Sequence, residues 1–392
     1  MALLGPVRKS SPHFFITGMI SSIMASEVYF TDMRTRDDNG LLVKMDKLIR
    51  AAGLENIDME KKFVAIKVHF GEFGNLSYPK PQYIRIISDL VKSKGGIPFI
   101  TDCNTLYVGM RKNAVEHLQC AELNGFNSVT TGCQTIIGDG LKGSDDVEIP
   151  VENGEYVKTA KIGRAIADAD IIITLNHFKG HEITGFGGAM KNLGMGCASR
   201  RGKMELHTSG KPAINEELCK GCGKCKHICA QEALQMSDKK MKLDESRCVG
   251  CGRCIAMCPF DAIYAQYDEK MDIVNCKIVE YTKAVIAGKP NFNITLLTDV
   301  SPVCDCHNHN DIPIIPNVGI LASKDPVALD LACIELAQIQ PMIPGSVLFE
   351  ECRGEKPEDI LAVTNKGTHW QSHFEHAKKI GLGDGDYDLI KI

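Results

Sequence analysis

Two groups of cysteines in the middle of the chain have the spacing of iron–sulfur ligands. Each follows the pattern C-x2-C-x2-C-x3-C, the first at Cys219, Cys222, Cys225 and Cys229 and the second at Cys248, Cys251, Cys254 and Cys258. In such a motif three thiolates bind one [4Fe-4S] cluster and the fourth binds the other cluster. The spacing therefore predicts two clusters with crossed ligands. Cluster 1 takes Cys219, Cys222, Cys225 and Cys258, and cluster 2 takes Cys248, Cys251, Cys254 and Cys229.

Glycines separate several of these ligands, at Gly221, Gly223, Gly250 and Gly252. A glycine lets the backbone approach closely, so that amide N–H groups can bond the cluster sulfurs. Zinc is the alternative occupant of paired C-x2-C motifs, but tetrahedral zinc needs only four ligands. The third and fourth cysteine of each motif would then be surplus, which favours iron–sulfur clusters.

These motifs resemble those of the bacterial two-cluster ferredoxins over residues 210 to 268. Ala230 departs from that family, which usually has proline after the fourth cysteine. The resemblance implies a small α+β module with two [4Fe-4S] clusters and an electron-transfer role. We expect its partner to be a redox protein or another electron carrier.

The chain on either side of this module alternates strand and helix patterns. Residues rich in Val, Ile and Phe predict strands at Ser26–Thr31, Phe63–Phe70, Ile97–Asp102 and Ile171–Asn176, and Pro81–Lys94 has a helical repeat. The alternation resumes with a helix near Ile273–Ala287, a strand at Asn293–Leu297 and a helix at Pro326–Leu336. We therefore predict an α/β fold with a mostly parallel sheet and covering helices. Its domain is discontinuous and carries the module as an insert.

The predicted divisions are an N-terminal extension at 1–23, α/β parts at 24–208 and 271–392, and the ferredoxin-type insert at 209–270. Residues Asp146–Pro150 and Tyr156–Ala160 flank Glu152-Asn-Gly and predict a short antiparallel hairpin. The apolar stretch Phe14–Met24 is too short to span a bilayer. We interpret Met24 as the functional first residue.

Polar residues and glycines gather directly after the strand at Ile171. His181 and Lys191 are the candidate catalytic residues there, and Gly185, Gly187 and Gly188 lie between them. In open α/β sheets ligands bind at the carboxyl ends of strands, and a glycine-rich helix start leaves N–H groups free for a cofactor. A histidine and a lysine near glycines are otherwise hydrogen-bonded loop residues. Both interpretations stay open.

Three segments resemble an uncharacterised family, domain-of-unknown-function family 362. They are KGH-x3-GFGGAMKNLGMGC from Lys179, the strand end with Lys67 and His69, and SKDPVALD from Ser323. The resemblance covers nearly the whole chain from Met24 and supports the architecture. We add Lys67 and His69 to the three glycines as candidate cofactor-binding residues. The loop from His181 to Lys191 also resembles the cofactor loop of nickel-pincer lactate racemases, where a lysine anchors the pincer ring.

A second group of candidate ligands follows the strand at Asn293. Cys304 and Cys306 lie close to Asp299, His307 and His309 in sequence. Thiolates, imidazoles and a carboxylate can hold zinc, iron or nickel. The alternative is that these thiols are small buried hydrophobic residues. The residue types predict an additional metal site at Cys304 and Cys306.

Composition narrows the functional classes. The 392 residues are 44% hydrophobic and 24% charged, with a formal net charge of -4, as expected of a globular protein of two or three domains. We find no basic run that would bind nucleic acid or an anionic membrane. Seventeen cysteines without a convincing secretory signal favour metal ligation over disulfides, and hence a cytoplasmic location.

Two functional hypotheses follow. In the first, the clusters pass electrons to or from an α/β domain that binds a small-molecule substrate or an organic or metal cofactor, as in a ferredoxin-linked oxidoreductase. In the second, the protein is a ferredoxin-like electron carrier or a metallocentre assembly factor, and its large domain docks a partner without chemistry. A closed polar pocket near a cluster would favour the first hypothesis.

Overall fold

The computed structural model describes residues 25–208 and 210–392. The predicted extension at 1–23 and the proposed start at Met24 lie outside the described residues. Among the described helices, none combines the length and the apolar character that crossing a membrane requires.

The strands of the described residues are short or of ordinary length. In chain order they are β1 (Ser26–Asp32), β2 (Phe63–Val68), β3 (Ile97–Asp102), β4 (Gln134–Ile137), β5 (Asp146–Pro150), β6 (Thr159–Gly163), β7 (Ile171–His177), β8 (Lys179–His181), β9 (Gly185–Gly187), β10 (Pro212–Ile214), β11 (Leu234–Ser237), β12 (Lys240–Leu243), β13 (Ile263–Ala265), β14 (Asn291–Leu297), β15 (Gly319–Ser323) and β16 (Tyr387–Lys391).

The helices fall between most of these strands. They are α1 (Leu41–Ala51), α2 (Pro81–Ser93), α3 (Ala114–Leu123), α4 (Ser128–Thr131), α5 (Arg164–Asp168), α6 (Ala189–Gly194), α7 (Arg200–His207), α8 (Lys224–Ile228), α9 (Arg253–Met257), α10 (Met271–Ile286), α11 (Pro326–Gln338), α12 (Val347–Glu351), α13 (Ile360–Thr364) and α14 (Gln371–Ile380).

The central sheet has eight strands in the order β16-β1-β15-β14-β7-β2-β3-β4. All neighbouring strands are parallel except at β15, which runs antiparallel to both β1 and β14. The prediction of an α/β fold with a mostly parallel sheet is therefore confirmed. Because β14 pairs directly with β7, the segments that follow these two strands leave the sheet at the same edge.

Apolar side chains cover both faces of the sheet. On one face, α1 and α2 contribute Leu48 and Ile87 to a core with Ile66 and Ile173 of β2 and β7. On the other face, neighbouring residues such as Ile172 pack with α10. The central strands are buried on both sides, which explains their continuous apolar sequences. Pro81 starts α2 because a proline at the first helical position lacks only an N–H that has no partner in the helix.

The short hairpin is confirmed with a shifted second strand. Strand β5 pairs antiparallel with β6, and Pro150 lies opposite Thr159. The predicted strand start at Tyr156 is wrong, since Tyr156 and Val157 instead donate backbone N–H groups to the Glu280 side chain of α10. That buried carboxylate draws the turn away from an extended conformation.

The cysteine-rich segment folds around two small antiparallel strand pairs. Strand β11 pairs with β12, and β10 pairs antiparallel with β13. Pro212 lies opposite Ala265, so the two ends of the segment meet. This closure supports the predicted insertion at 209–270, and the division of the chain into domains stays a prediction.

Candidate functional site

The first predicted cluster site is a small cavity in the insert. Its walls include the full predicted ligand set, Cys219, Cys222, Cys225 and Cys258. Cys258 comes from the second motif and joins three cysteines of the first. The crossed assignment made from the spacing fits this placement.

The second set of cysteines likewise combines three thiols of one motif with one thiol of the other. Burial, together with the adjacent thiols of Cys251, Cys248, Cys225 and Cys229, raises the pKa of Cys254 to about 12. Burial also raises the pKa of Cys248, again with a contribution from Cys229. Cys229 of the first motif therefore lies among the thiols of the second. A dense group of thiols is a suitable binding site for a metal cluster.

Backbone N–H groups point at several of these sulfurs. Ala262 N donates to Cys258 Sγ over 3.2 Å, Ala233 N to Cys229 Sγ over 3.3 Å, and Met241 N to Cys219 Sγ over 3.4 Å. Such bonds stabilise a thiolate and tune the potential of a bound cluster. The four glycines between the ligands have positive φ angles from 64° to 75°, a conformation that other residues adopt only with strain. The backbone around these cysteines is thus compatible with binding a metal centre, and the two predicted clusters stay a prediction.

A large cavity of about 930 Å³ lies between the α/β domain and the insert. It opens where β2, β3 and β7 end, so that His69, Asp102 and His177 line it. The insert contributes Asp261 and Tyr267 to the opposite wall. The cavity therefore occupies the edge at which α/β sheets bind ligands, and the cysteine-rich segment closes it.

The structure brings most of the predicted site residues to this cavity. His69, His181, Lys191, Gly187, Gly188 and Cys306 line its wall. Lys67, Gly185 and Cys304 are absent from the lining. Lys67 and Cys304 lie fully buried behind it, whereas Gly185 faces Trp370 and Thr368.

Lys67 supports the cavity floor from below. Its Nζ lies 3.0 Å from Asp102 Oδ1 and donates to Asn192 Oδ1 over 2.6 Å. Arg111 Nη1 reaches the other oxygen of Asp102 at 3.3 Å. Burial by itself would raise the pKa of Asp102, but the positive charge of Lys67 and its neighbours holds it well below the usual range. Direct contact of Lys67 with a ligand stays a prediction.

Helix α6 carries Lys191, and Asp330 of α11 holds its start. Asp330 accepts the N–H groups of Ala189 and Met190 at 2.6 and 2.9 Å. A Cβ on Gly188 would lie only 2.3 Å from Asp330 Oδ1, so this approach requires glycine. Burial raises the pKa of Asp330 to about 7. Asp330 is part of the SKDPVALD segment, and the structure assigns it a positioning role that the sequence alone did not indicate.

Asp305 is a second buried carboxylate under the cavity. Both of its oxygens lie 2.9 Å from His177 Nδ1, and Lys179 Nζ lies 3.0 Å from Oδ2. Burial opposes its ionisation, but the charges of His177 and Lys179 hold the pKa of Asp305 far below its ordinary value. The bonds fix the loop between Cys304 and Cys306, because Asp305 is the residue between them.

Two sulfurs and an imidazole meet at the cavity floor. Cys304 Sγ, Cys306 Sγ and a ring nitrogen of His181 all lie within 4.8 Å of one another. Lys191 Nζ donates to Cys304 Sγ over 3.6 Å. A hydrogen bond from Cys306 and the charge of Lys191 hold the pKa of Cys304 well below that of a free thiol. The grouping has the donor atoms for one metal ion, and the predicted metal site stays a prediction.

An ion pair lies beside these sulfurs at the rim. His307 Nε2 lies 2.9 Å from Glu182 Oε1, and Cys306 is close enough to complete a second group of possible ligands. The hydrogen bond with Glu182 raises the pKa of His307. His309, also named from the sequence, is exposed and bonds only its neighbour Asn308 among the contacts described for its ring nitrogens.

The lining residues that the sequence did not indicate include Tyr107, Arg111, His207 and Tyr267. They lie in or beside loops with no motif, so no local pattern could have identified them. Arg111 is fully buried and binds Glu72 and Asp102. Its placement depends on contacts between distant parts of the chain.

A chain of contacts joins the insert to the cavity. A Cβ on Gly252, between two ligands, would meet Met204 of α7 at 3.0 Å. His207 ends the same helix and packs against Tyr267, with ring centroids 5.0 Å apart. Burial raises the pKa of Tyr267, and the charge of Cys306 adds to the rise. The predicted second cluster site therefore lies against α7, whose last residue packs against Tyr267 on the cavity wall.

Comparison with known proteins gives one family. Residues 64–335 match the family described as Domain of unknown function (DUF362). The chain matches none of the curated proteins. Among solved structures it is similar to the lactate racemase apoprotein from Thermoanaerobacterium thermosaccharolyticum, with a TM-score of 0.38 and 13% identity over 78% of this chain and 56% of that one. A Thermotoga maritima protein gives a TM-score of 0.38 and 13% identity, over 76% of this chain and 58% of that one.

Proposed function

The chain belongs to the DUF362 family, and from that premise we propose that it is an iron–sulfur redox protein in which two [4Fe-4S] clusters exchange electrons with a ligand in the α/β cavity. One observation carries the proposal. Leu106 lines the cavity and also belongs to the apolar core of the insert, together with Cys219, Cys225 and Cys254. The ligand site and the predicted cluster ligands thus share a wall.

The eight cysteines would hold the clusters in the crossed arrangement. When bound, the clusters supply transfer of one electron at a time. The N–H groups of Ala262, Ala233 and Met241 would stabilise the sulfurs, and the packing of the insert against α7 would limit their contact with water on that side. Both features would favour electron transfer by the bound clusters.

The α/β residues would bind and orient the ligand. His69 Nδ1 accepts the N–H of Gly71 over 3.0 Å, and burial lowers the pKa of His69 well below its ordinary value. The ring is therefore neutral near pH 7 with its proton on Nε2, where it can donate to a ligand. Lys191 and His181, the candidate catalytic residues, line the same cavity and would supply further donors to the ligand. A carrier that only docks a partner would need no cavity of this size lined by several histidines and lysines.

The test is strictly anaerobic purification of the full chain, with metal and sulfide analysis and a spectrum of the dithionite-reduced protein. We expect about eight irons per chain, as two cubanes require, and the magnetic resonance signals of reduced clusters. Cys254→Ser should lower the iron content and remove the signal of one cluster. Cys352→Ser, at a half-buried cysteine outside both motifs, is the matched control and should leave both unchanged. Zinc in place of iron, with no reducible centre, would contradict the proposal.

A further inference from the structure

Cys304 and Cys306 form a two-sulfur group with one face on the cavity. Cys304 is fully buried, whereas Cys306 is partly exposed and lines the cavity. His307 N donates to Cys304 O over 3.0 Å and closes a tight turn around the pair. One sulfur is therefore accessible to a ligand, and the second lies directly behind it.

The hydrogen bonds of His181 argue against metal ligation by this group. Its Nδ1 accepts the N–H groups of Ile183 and Thr184 at 3.1 and 3.2 Å. A nitrogen that accepts two N–H groups carries no proton, so the neutral ring is protonated on Nε2. A metal-binding histidine has the opposite arrangement, since its second nitrogen donates to an acceptor. His181 is therefore arranged to donate to a sulfur.

The charges around the pair also balance without a metal. Lys191 Nζ, 3.6 Å from Cys304 Sγ, compensates one thiolate at a fully buried position. The two thiols are close enough to share the remaining proton. Thiolate, ammonium and thiol together are neutral, and this is the protonation state of a resting dithiol centre.

We propose that Cys304 and Cys306 are a redox-active dithiol that cycles to an intramolecular disulfide, with a disulfide-bearing small molecule as its substrate class. This inference rests on the proposed function for its electrons. Disulfide reduction needs two electrons, and two clusters can supply one each. Gly252 of the insert lies against Met204 of α7, and His207 of the same helix packs against Tyr267, which lines the cavity together with Cys306.

The substrate disulfide is reduced by two successive thiolate attacks. The shared proton moves from Cys306 to Cys304, and the Cys306 thiolate then attacks one sulfur of R–S–S–R′, forms a mixed disulfide and releases R′–S⁻, which takes that proton from Cys304. The Cys304 thiolate then attacks Cys306 Sγ, forms the Cys304–Cys306 bond and releases R–S⁻. Two electrons and one proton restore the thiol and thiolate. Lys191 and His181 stabilise the Cys304 sulfur before its attack.

The experiment uses the anaerobic full-length holoprotein and 2-hydroxyethyl disulfide as the probe. After acid quenching and alkylation, mass spectrometry follows the tryptic peptide 284–324, which contains no cysteines other than Cys304 and Cys306. We expect the probe to convert this peptide from the doubly alkylated to the disulfide form. Photoreduction with a deazaflavin should then restore the dithiol at least 10-fold faster than in Cys254→Ser. Cys352→Ser should behave like the unaltered chain.

Trapping variants keep the test decisive where a cluster variant does not fold. Cys304→Ser should accumulate the mixed disulfide on Cys306, because the resolving sulfur is gone, and Cys306→Ser should form none. A peptide that stays doubly alkylated, or a metal ion beyond the eight irons that is lost in Cys306→Ser, would overturn the inference. A holoprotein with intact clusters that fails to re-reduce the disulfide would also overturn the inference. Missing clusters with normal trapping would instead refute the proposed function and the electron supply, leaving the exchange chemistry supported.

Discussion

The insert and the cavity floor handle buried thiols in opposite ways. In the insert, Cys219, Cys225, Cys254 and Cys258 are themselves members of the apolar core. At the cavity floor, Cys304 is buried against Lys191, which supplies a positive charge. The first arrangement surrounds its thiols mainly with apolar side chains, whereas the second pairs its buried thiol with a charge from the same chain. We therefore expect the insert to depend on a bound cofactor for stability, and the cavity floor to be preformed by ion pairs.

The α/β domain and the insert also differ in how much apolar core stabilises them. The α/β domain has extensive cores on both faces of its sheet. The insert has one small core, in which the ligand cysteines replace large aliphatic residues. Small domains that cannot bury enough apolar surface are commonly held together by metal sites. This comparison gives three predictions, from the largest expected effect to the smallest.

Removal of the clusters should unfold the insert and leave the α/β domain folded. After oxidative iron removal with a chelator, amide hydrogens of β11, β12 and β13 should exchange at nearly the rates of unfolded peptides, because their core loses its central links. The amides of β2 and α2 should keep their protection. Hydrogen exchange with mass spectrometry measures both. Protection of β11 and β12 that survives iron removal would break the comparison.

Loss of the buried lysine should destabilise the α/β domain strongly. Lys67→Met leaves Asp102 buried with only part of its compensating charge, and breaking such a pair costs about 3–5 kcal/mol of unfolding free energy. Lys62→Met is the matched control, because Lys62 and Asp58 form an exposed pair with side chains 36% and 75% accessible. Exposed pairs of this kind contribute about 0.5 kcal/mol or less. Denaturant unfolding followed by circular dichroism compares them, and equal losses would contradict a preformed electrostatic floor.

The pH dependence of stability should report the burial of Asp330. Its folded pKa of about 7 lies above the ordinary carboxyl value, so the folded state binds the proton more tightly than the unfolded state. Its contribution is therefore fully present below about pH 4 and is lost as pH rises through about 7. Relative to the unaltered chain, Asp330→Asn should gain on the order of 3 kcal/mol of unfolding free energy between these limits. A difference between the two proteins that does not change with pH would refute this assignment.

Local sequence patterns predicted the elements well where the signal lies within one segment. The strands at Ser26, Ile97 and Ile171 and the helix at Pro81 begin at the predicted residues. The error at Tyr156 arose because a distant carboxylate, Glu280, binds that turn. Turn chemistry read from neighbouring residues cannot include such a contact.

Most of the cavity was identified as separate motifs rather than as one site. His181 and Lys191 follow β7, and Cys304 and Cys306 follow β14. Their convergence depends on the pairing of β7 with β14 in the sheet, which places both following segments at one edge. Arg111 and Tyr267 belong to no sequence motif, because only long-range packing places them at the site.

The amino-acid sequence by itself determined the ligand spacing of the insert and the alternation of strands and helices, since both depend on residues a few positions apart. Only the tertiary structure decided that Lys67 lies beneath the cavity floor and that Lys191 compensates Cys304. These contacts join residues that are far apart in the sequence. Lys191 and Cys304, for example, are separated by 113 positions. Strand order and burial set such distances, and no local spacing encodes them.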